Sequence, residues 1–273
     1  MDCIAFYGKG GIGKSTVASA VSLALAKMGK RVLLIGCDPK HDSTLSLTGG
    51  RLIPTVIEQL FSKPTGALRA EDIIYKGELG VDCIEAGGPE PGVGCGGRAV
   101  SRTLEVVEQL GIVSENHYDV VVFDVLGDVV CGGFAAPLRS AFAPKVVIVL
   151  SEELAAAYAA NNIVKGVLRF YENGICVAGA VLNLRDNRAN QEAVKNFLQA
   201  ISVNLLSVLA RDPAIQQAES SGANVVISAP NSKATRTIAL LAENLLTIKK
   251  DKCLRPTPIT FEQIRAILQR KNK

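Results

Sequence analysis

The sequence lacks several of the patterns that mark common metal sites. It has only two histidines, His41 and His117, and neither has a second metal-ligating residue at a useful spacing. Its seven cysteines include no Cys-x-x-Cys pair, and an odd number at irregular spacing does not suit a disulfide framework. These absences exclude a histidine-based metal centre and a disulfide-rich scaffold, and they favour reduced thiols.

Other absences limit the partners that we expect. No apolar run approaches the length of a membrane span, and the first residues enter a strand without a basic region and cleavage site. The net charge of +4 comes without a basic stripe. We therefore expect a cytoplasmic protein with no membrane and no nucleic-acid partner.

No linker rich in Pro, Gly or Ser divides the 273 residues, which predicts one domain over 1–273 with a C-terminal extension over about 248–273.

The chain contains a regular alternation of strand-like and helix-like segments. This order is typical of an α/β fold in which a mostly parallel sheet of about eight strands carries helices on both faces. Strands are predicted at 3–7, 31–35, 81–85, 119–124, 145–150, 176–183, 204–209 and 225–227. Helices are predicted at 98–109, 154–171, 189–200 and 233–246. In such sheets ligands bind at the carboxyl ends of the strands.

A glycine-rich loop lies between the first predicted strand and a stretch with helical spacing of apolar residues over 15–28. This context is that of a P-loop, the loop that binds nucleotide phosphates. We expect backbone N–H groups and Lys14 to bind the phosphates and the Ser15 hydroxyl to bind Mg²⁺. The alternative is a glycine-rich turn that binds nothing. The predicted MgATP loop consists of Gly8, Lys9, Gly10, Gly11, Ile12, Gly13, Lys14, Ser15 and Thr16.

Acidic residues follow two other predicted strands. Asp38 and Asp42 flank Lys40 after the second strand, in a pattern suited to holding Mg²⁺-bound water and sensing the γ-phosphate. The fourth strand ends at Asp124 and is followed by Gly127, whose amide can contact the γ-phosphate, and by Asp128. The segment 124–128 ends three residues before Cys131. It is therefore a candidate for transmitting hydrolysis to that cysteine.

Two cysteines stand beside glycines in a chain that also carries the predicted ATP loop. Cys95 and Cys131 supply half of the four thiolates that a 4Fe-4S cluster needs, so a second copy of the chain would supply the rest. This interpretation predicts a homodimer with the cluster on its symmetry axis. Two alternatives stay open: ordinary packing, and a four-ligand site within one chain that also uses Cys37 and Cys83.

The loop and several other segments resemble those of a known family. Lys-Gly-Gly-Ile-Gly-Lys at 9–14 resembles the loop of dimerising ATPases that include septum-site and partition ATPases and the nitrogenase iron protein. Segments 36–44, 85–98, 124–137 and 158–166 resemble the nitrogenase iron protein family, which includes the ATP-dependent reductases of protochlorophyllide, chlorophyllide and nickel-sirohydrochlorin. The similarity extends through nearly the whole chain.

The resemblance implies specific roles for residues of this chain. Cys95 and Cys131 of both subunits would bind one shared 4Fe-4S cluster, and Lys9 would reach the partner's nucleotide. Asp38 and Asp128 would assist hydrolysis together with Lys9 and Lys14, while Lys40 and the segment 124–128 would change position with the nucleotide. The residues implied for the adenosine end of ATP are Asn183, Arg211, Asp212, Gln216 and Glu219.

The function implied by the resemblance is ATP-dependent electron donation. A ferredoxin or flavodoxin would reduce the dimer, which would pass single electrons to a larger nitrogenase-like catalytic protein as MgATP is hydrolysed. Features of the nitrogenase and tetrapyrrole branches are mixed, so the sequence does not commit to a final substrate. Two rivals are a partition or septum-site ATPase without a cluster and a carrier that donates its cluster whole.

Overall fold

The computed structural model describes residues 1–64, 66–89, 94–113, 117–127, 136–139 and 145–269. The predicted site residues Asp128 and Cys131 therefore lie outside the described residues. The strands are β1 (Asp2–Tyr7), β2 (Val32–Cys37), β3 (Tyr75–Lys76), β4 (Asp82–Glu85), β5 (Val120–Val125), β6 (Lys145–Leu150), β7 (Cys176–Asn183) and β8 (Leu205–Leu209).

Helices connect these strands. The α-helices are α1 (Lys14–Lys27), α2 (Val56–Ser62), α3 (Gly96–Gln109), α4 (Ala136–Arg139), α5 (Leu154–Leu168), α6 (Gln191–Ala200), α7 (Pro213–Ser220), α8 (Val225–Ser228), α9 (Lys233–Thr247) and α10 (Phe261–Leu268). Short 3-10 turns occupy Leu45–Leu47, Ala70–Asp72, Glu78–Gly80, Tyr171–Asn173 and Lys250–Lys252. No helix in the described part of the chain is long and apolar enough to cross a membrane.

The eight described strands form one sheet in the order β3-β4-β2-β5-β1-β6-β7-β8. All neighbouring pairs are parallel except β3 and β4. Every residue of β2, β5 and β6 is buried, as expected for strands that are covered on both faces of the sheet. The predicted α/β architecture is confirmed.

Two details of the predicted sheet were wrong. The segment 225–227 is not a strand but part of α8, because the Asn224 side chain accepts the Val226 N–H at 3.1 Å and so caps a helical turn. The eighth strand is instead β3, which has two residues and pairs antiparallel with β4. A strand of that length is too short to give a periodic apolar pattern.

The register of the central strands brings the predicted ligand-binding loops to one edge of the sheet. Phe6 of β1 and Gly36 of β2 both pair with Asp124 of β5, and Gly36 also pairs with Glu85 of β4. Since these pairs lie at the carboxyl ends of parallel strands, the loops that follow β1, β2 and β5 are neighbours. The register of the sheet alone therefore brings the loops of the candidate site together.

The last helix is held to the body of the protein by one buried asparagine. Helix α10 packs against α5 and α6. Asn161 of α5 donates from Nδ2 to the Ile259 carbonyl at 2.9 Å, and its Oδ1 accepts the Ile259 N–H at 2.9 Å. The side chain thereby satisfies both backbone polar groups of one residue just before α10 begins.

Replacing Asn161 by alanine should loosen this attachment. Because both backbone groups of Ile259 lose their partner, we expect Asn161→Ala to lower the free energy of unfolding by about 2 kcal/mol. Urea denaturation measures the change, with the neighbouring Asn162→Ala variant as the control. Equal stability of Asn161→Ala and the unmodified protein would show that the asparagine does not anchor this segment.

Candidate nucleotide and cluster site

The loop between β1 and α1 has the backbone of a phosphate-binding loop. Gly11 and Gly13 adopt φ angles of 71° and 88°, in the left-handed region that favours glycine. No side chain of the described residues caps the start of α1 at Gly13. The N–H groups of the first turn and the positive end of the helix dipole are therefore available for an anion.

The Asn183 side chain supports this loop from the end of β7. Its Nδ2 donates to the Ile12 carbonyl at 2.8 Å, and a Cβ added to Gly13 would overlap the same amide group. Arg185, two residues further on, donates from Nη2 to the Gly11 carbonyl. Arg185 was not predicted from the sequence, although its position just after a strand end was a signal that could have indicated it.

A buried ion pair lies at the base of the loop. Lys14 Nζ is 2.8 Å from Asp124 Oδ1, and the two side chains are 7% and 0% exposed. Asp124 Oδ2 is buried and has no hydrogen-bond partner among the described residues. A buried carboxylate oxygen without a partner is costly, and a hydrated Mg²⁺ ion would satisfy it. The donor set thus fits the MgATP that the sequence implies.

Gly127 joins the segment after β5 to the phosphate-binding loop. A Cβ added at Gly127 would overlap the Gly8 carbonyl oxygen and lie 2.7 Å from the Gly10 nitrogen. Only a residue without a side chain allows the two backbones to approach this closely. Any displacement of the P-loop backbone would therefore act directly on the segment that begins at Asp124.

The loop after β2 reaches both the nucleotide cavity and the start of α3. Asp38 is buried, its Oδ1 accepts the Lys40 N–H at 3.0 Å, and burial raises the pKa of its carboxyl group. The ring of Pro39 packs against Gly96, the first residue of α3, where an added Cβ would overlap Pro39 Cγ. Gly88 makes a similar contact, since a Cβ there would lie 2.7 Å from Pro39 Cβ.

Cys95 occupies the position immediately before α3. It is exposed, whereas Cys3, Cys37, Cys83 and Cys176 are buried and Cys253 is half-buried. The amides at a helix start favour a thiolate, and an exposed thiolate suits a cluster ligand shared with a second subunit. Cys95 therefore fits one half of the implied 4Fe-4S site; its counterpart Cys131 lies outside the described residues.

Cys37 and Cys83 are completely buried in strands β2 and β4. Burial raises the pKa of the Cys37 thiol far above its usual range and that of Cys83 to about 12. Within the described ranges, no three His, Cys, Asp or Glu residues are placed to hold a metal ion. The burial of Cys37 and Cys83 favours a role as small core residues.

Most of the predicted nucleotide residues meet around one cavity of about 390 Å³. Those that line it are Lys9, Gly10, Gly11, Gly13, Lys14, Ser15, Thr16, Asp38, Lys40, Asp42, Gly127, Asn183, Arg211, Asp212, Gln216 and Glu219. Gly8 and Asp124 lie behind the lining, and the Ile12 side chain is buried in the core. Predicted residues from the N-terminal and C-terminal halves of the chain thus line the same cavity.

Two carboxylates in this space also make structural contacts. Asp212 caps α7 by accepting the Ala214 N–H at 2.9 Å, and its second oxygen accepts the Ala234 N–H at 3.2 Å. Glu219 Oε1 accepts the Thr16 hydroxyl at 2.5 Å, which connects α7 to the first turn of α1. Helix α7, which carries residues predicted to hold adenosine, is therefore attached to the helix that follows the P-loop.

Glu85 is a further buried acid that the sequence analysis did not assign. It is completely buried at the end of β4, its Oε1 accepts the Thr44 N–H at 2.7 Å, and Gly36 leaves the space that its carboxyl group fills. Burial raises the pKa of this carboxyl group to about 8. Glu85 is therefore protonated at neutral pH and holds the backbone of the segment that contains Asp42.

The fold and the site together define the class of protein. A P-loop after a central strand, a buried lysine–aspartate pair and acidic loops at neighbouring strand ends are the parts of a P-loop ATPase. A solved structure of the septum site-determining protein MinD from Pyrococcus horikoshii OT3, complexed with Mg-ADP, has a TM-score of 0.71 to this chain. Its sequence is 25% identical, and the match covers 90% of this chain and 96% of that one.

A second solved structure shows the same fold at lower identity. Cobyrinic acid a,c-diamide synthase from Mycobacterium smegmatis, with bound ADP and magnesium, has a TM-score of 0.66 and 19% identity. The match covers 95% of this chain and 99% of the synthase chain.

Comparison by sequence identifies the family. A family model described as 4Fe-4S iron sulfur cluster binding proteins, NifH/frxC family, matches residues 2–273, and the chain belongs to this family. It is 41% identical to the nitrogenase iron protein of Methanospirillum hungatei JF-1 over 267 residues, which cover 97% of this chain and 94% of that protein. Nitrogenase iron protein 2 of Paenibacillus durus is 40% identical, with coverage of 96% and 89%. The family resemblance read from the sequence is confirmed.

The raised pKa of Glu85 predicts a pH dependence of stability. Between pH 4.5, the usual pKa of the free side chain, and about 8, the folded protein keeps a proton that the unfolded chain releases. The contribution of Glu85 to stability is therefore complete below pH 4.5, falls as the pH rises to about 8, and falls no further above it.

Replacing the acid by its amide tests this dependence. Glu85→Gln keeps the acceptor for Thr44 but cannot titrate, so the fall in stability between pH 5.5 and 8, inside the window set by the pKa of about 8, should become shallower. Guanidinium denaturation of the nucleotide-free protein across that range measures the slope. Glu108→Gln, at an exposed position of α3, is the matched control. An unchanged slope in Glu85→Gln would mean that Glu85 is ionised in the folded protein.

Proposed function

We propose that this protein is the ATP-dependent electron donor of a nitrogenase or nitrogenase-like complex. It acts as a homodimer that holds one 4Fe-4S cluster between Cys95 and Cys131 of the two subunits, and it hydrolyses MgATP. Membership of the family of 4Fe-4S cluster binding proteins supports the proposal. The observation that carries it is the contact of Pro39 with Gly96, because this contact joins the nucleotide loop to the residue after Cys95.

MgATP would be held by residues that surround one cavity. The P-loop amides and Lys14 bind the phosphates, the Ser15 hydroxyl binds Mg²⁺, and Asp124 accepts from water of the ion's hydration shell. Asp38 lines the same cavity as the loop and orients water there, and Asp128 assists it. Lys9 is half-buried at the loop's start and lines the cavity, and we propose that it reaches a second subunit's nucleotide. The residues proposed for the adenosine end are Asn183, Arg211, Asp212, Gln216 and Glu219.

Two segments of the chain transmit the state of the nucleotide. The segment that begins at Asp124 contacts the P-loop through Gly127, and the segment that contains Asp38 and Lys40 contacts α3 through Pro39. Binding and hydrolysis change the interactions of both segments and therefore shift the population of conformations that present Cys95. When bound there, the 4Fe-4S cluster supplies the single electron that is donated.

The partners follow from this role. A ferredoxin or flavodoxin reduces the dimer, and a larger nitrogenase-like protein accepts the electrons and carries out the final reduction. The matched relatives that are named nitrogenase iron proteins favour the nitrogenase branch over the tetrapyrrole branch. We further propose that residues 1–273 form a single domain, which is supported by one buried apolar cluster that extends from β1 to α10.

The role of Cys95 can be tested on protein purified without oxygen. The unmodified dimer should contain about four irons after reconstitution and give a reduced-state EPR signal, because it would hold one 4Fe-4S cluster. That cluster requires four thiolates from two subunits. Cys95→Ala should lose both. Cys83→Ala should retain both, because Cys83 is completely buried in the core.

A second readout separates electron donation from other uses of a cluster. The reduced dimer should reduce a nitrogenase-type catalytic protein only when MgATP is present. Transfer of the whole cluster to an apo-ferredoxin, without ATP-dependent reduction of any partner, would instead identify a cluster carrier. Fewer than about two irons per dimer in the unmodified protein would reject the proposed cluster.

A further inference from the structure

Two cysteines meet at the amino ends of the strands, opposite the carboxyl ends where the nucleotide cavity lies. Cys176 is the first residue of β7, and Cys253 follows the 3-10 turn Lys250–Lys252, between α9 and α10. Their sulfur atoms are 2.8 Å apart. The sulfurs would need to approach by less than about 1 Å to reach the length of a disulfide bond. Neither residue contributes to the proposed cluster or to the nucleotide cavity.

The surroundings of the pair shift the pKa values of its two thiols in opposite directions. The hydrogen bond with Cys176 lowers the pKa of Cys253, and the positive charge of Lys145 lowers it further, against opposing effects of burial and Asp251. The same hydrogen bond and burial raise the pKa of Cys176 above its usual range. Cys253 is therefore the thiol of the pair that loses its proton more readily.

Lys145 is held in place to act on this pair. It pairs with Cys176 in the register of β6 and β7 and is only 5% exposed. Its Nζ is fixed by Asp2 Oδ1 at 2.9 Å and by the Leu245 carbonyl at 3.2 Å. A buried ammonium group next to a cysteine pair stabilises the thiolate from which disulfide exchange begins.

The two thiols also differ in access. Cys176 is 3% exposed, whereas Cys253 is half-buried on the segment that leads to α10. A small reagent would therefore meet Cys253 first. This order, an accessible thiol followed by a buried thiol in contact with it, is the arrangement of an attacking and a resolving cysteine.

We propose that Cys176 and Cys253 form a redox-active pair that reacts with small-molecule disulfides and closes into an intrachain disulfide bond. The Cys253 thiolate attacks one sulfur of the small disulfide, forms a mixed disulfide and releases the other half as a thiol. Cys176 then loses its proton, attacks the Cys253 sulfur and releases the second half as a thiol. Two protein thiols are oxidised, and one small disulfide is reduced to two thiols.

The bond would tie the segment before α10 to the start of β7. Its two ends are 77 residues apart in the sequence, so closure restricts the unfolded chain over a long loop. The pair lies at the amino ends of the strands, whereas the nucleotide binds at their carboxyl ends. We therefore expect oxidation to raise the melting temperature by a few degrees and to leave MgATP binding unchanged.

Peptide mapping after treatment with oxidised glutathione tests the pair directly. The cluster-loaded dimer is incubated without oxygen, alkylated and digested with trypsin, which releases Cys176 in the peptide 170–185 and Cys253 in 253–265. The expected product is these two peptides joined, lighter by two hydrogens than their sum and separated by dithiothreitol. Each peptide contains a single cysteine, so reactions at Cys95 do not interfere.

Variants distinguish the two roles. Cys176→Ser should accumulate the glutathione adduct on Cys253, whereas Cys253→Ser should leave Cys176 unmodified and abolish the rise in melting temperature. Cys3→Ser, at a buried cysteine on β1 whose own thiol is affected by Lys145, should behave as the unmodified protein. Failure of the native protein to give either the joined peptides or an adduct at Cys253, or joining only after denaturation, would overturn the proposal.

Discussion

The structure of the site depends on one buried ion pair, Lys14 with Asp124. Two charges are removed from water here, which is favourable only when the geometry is held firmly by the surrounding structure. The sheet provides this, because β1 and β5 are central neighbours and Phe6 pairs with Asp124. The P-loop and the segment after β5 are thereby fixed relative to each other at the point where the phosphates would bind.

From this pair, two contacts made possible by glycine lead toward Cys95, the proposed cluster ligand, and the loops around it. Gly127 lets the segment after Asp124 lie directly on the P-loop backbone, and Gly96 lets Pro39 pack against the start of α3 beside Cys95. Both contacts are steric and short-range. A displacement of one segment would therefore push directly on the other. The proposed coupling of ATP to a cluster needs this kind of connection, since the proposed ligands for the two groups come from different loops.

The P-loop and the ends of β1, β2 and β5 could be predicted from the sequence because each depends on local patterns of glycine, charge and apolar residues. The burial of Glu85 against Gly36 and the contact of Cys176 with Cys253 could not. Each of these depends on strands or segments that are distant in sequence. The strand predicted at 225–227 failed for a local reason, because a cap at Asn224 outweighed a short run of β-branched residues.

The most direct test of the connection between the P-loop and the segment after β5 is nucleotide binding to a Gly127→Ala variant of the anaerobically purified protein. Isothermal titration should show MgATP affinity reduced about tenfold or more, because the added methyl group displaces the P-loop backbone at Gly8. Circular dichroism of the nucleotide-free variant should match the unmodified protein. MgATP affinity equal to that of the unmodified protein would contradict the account.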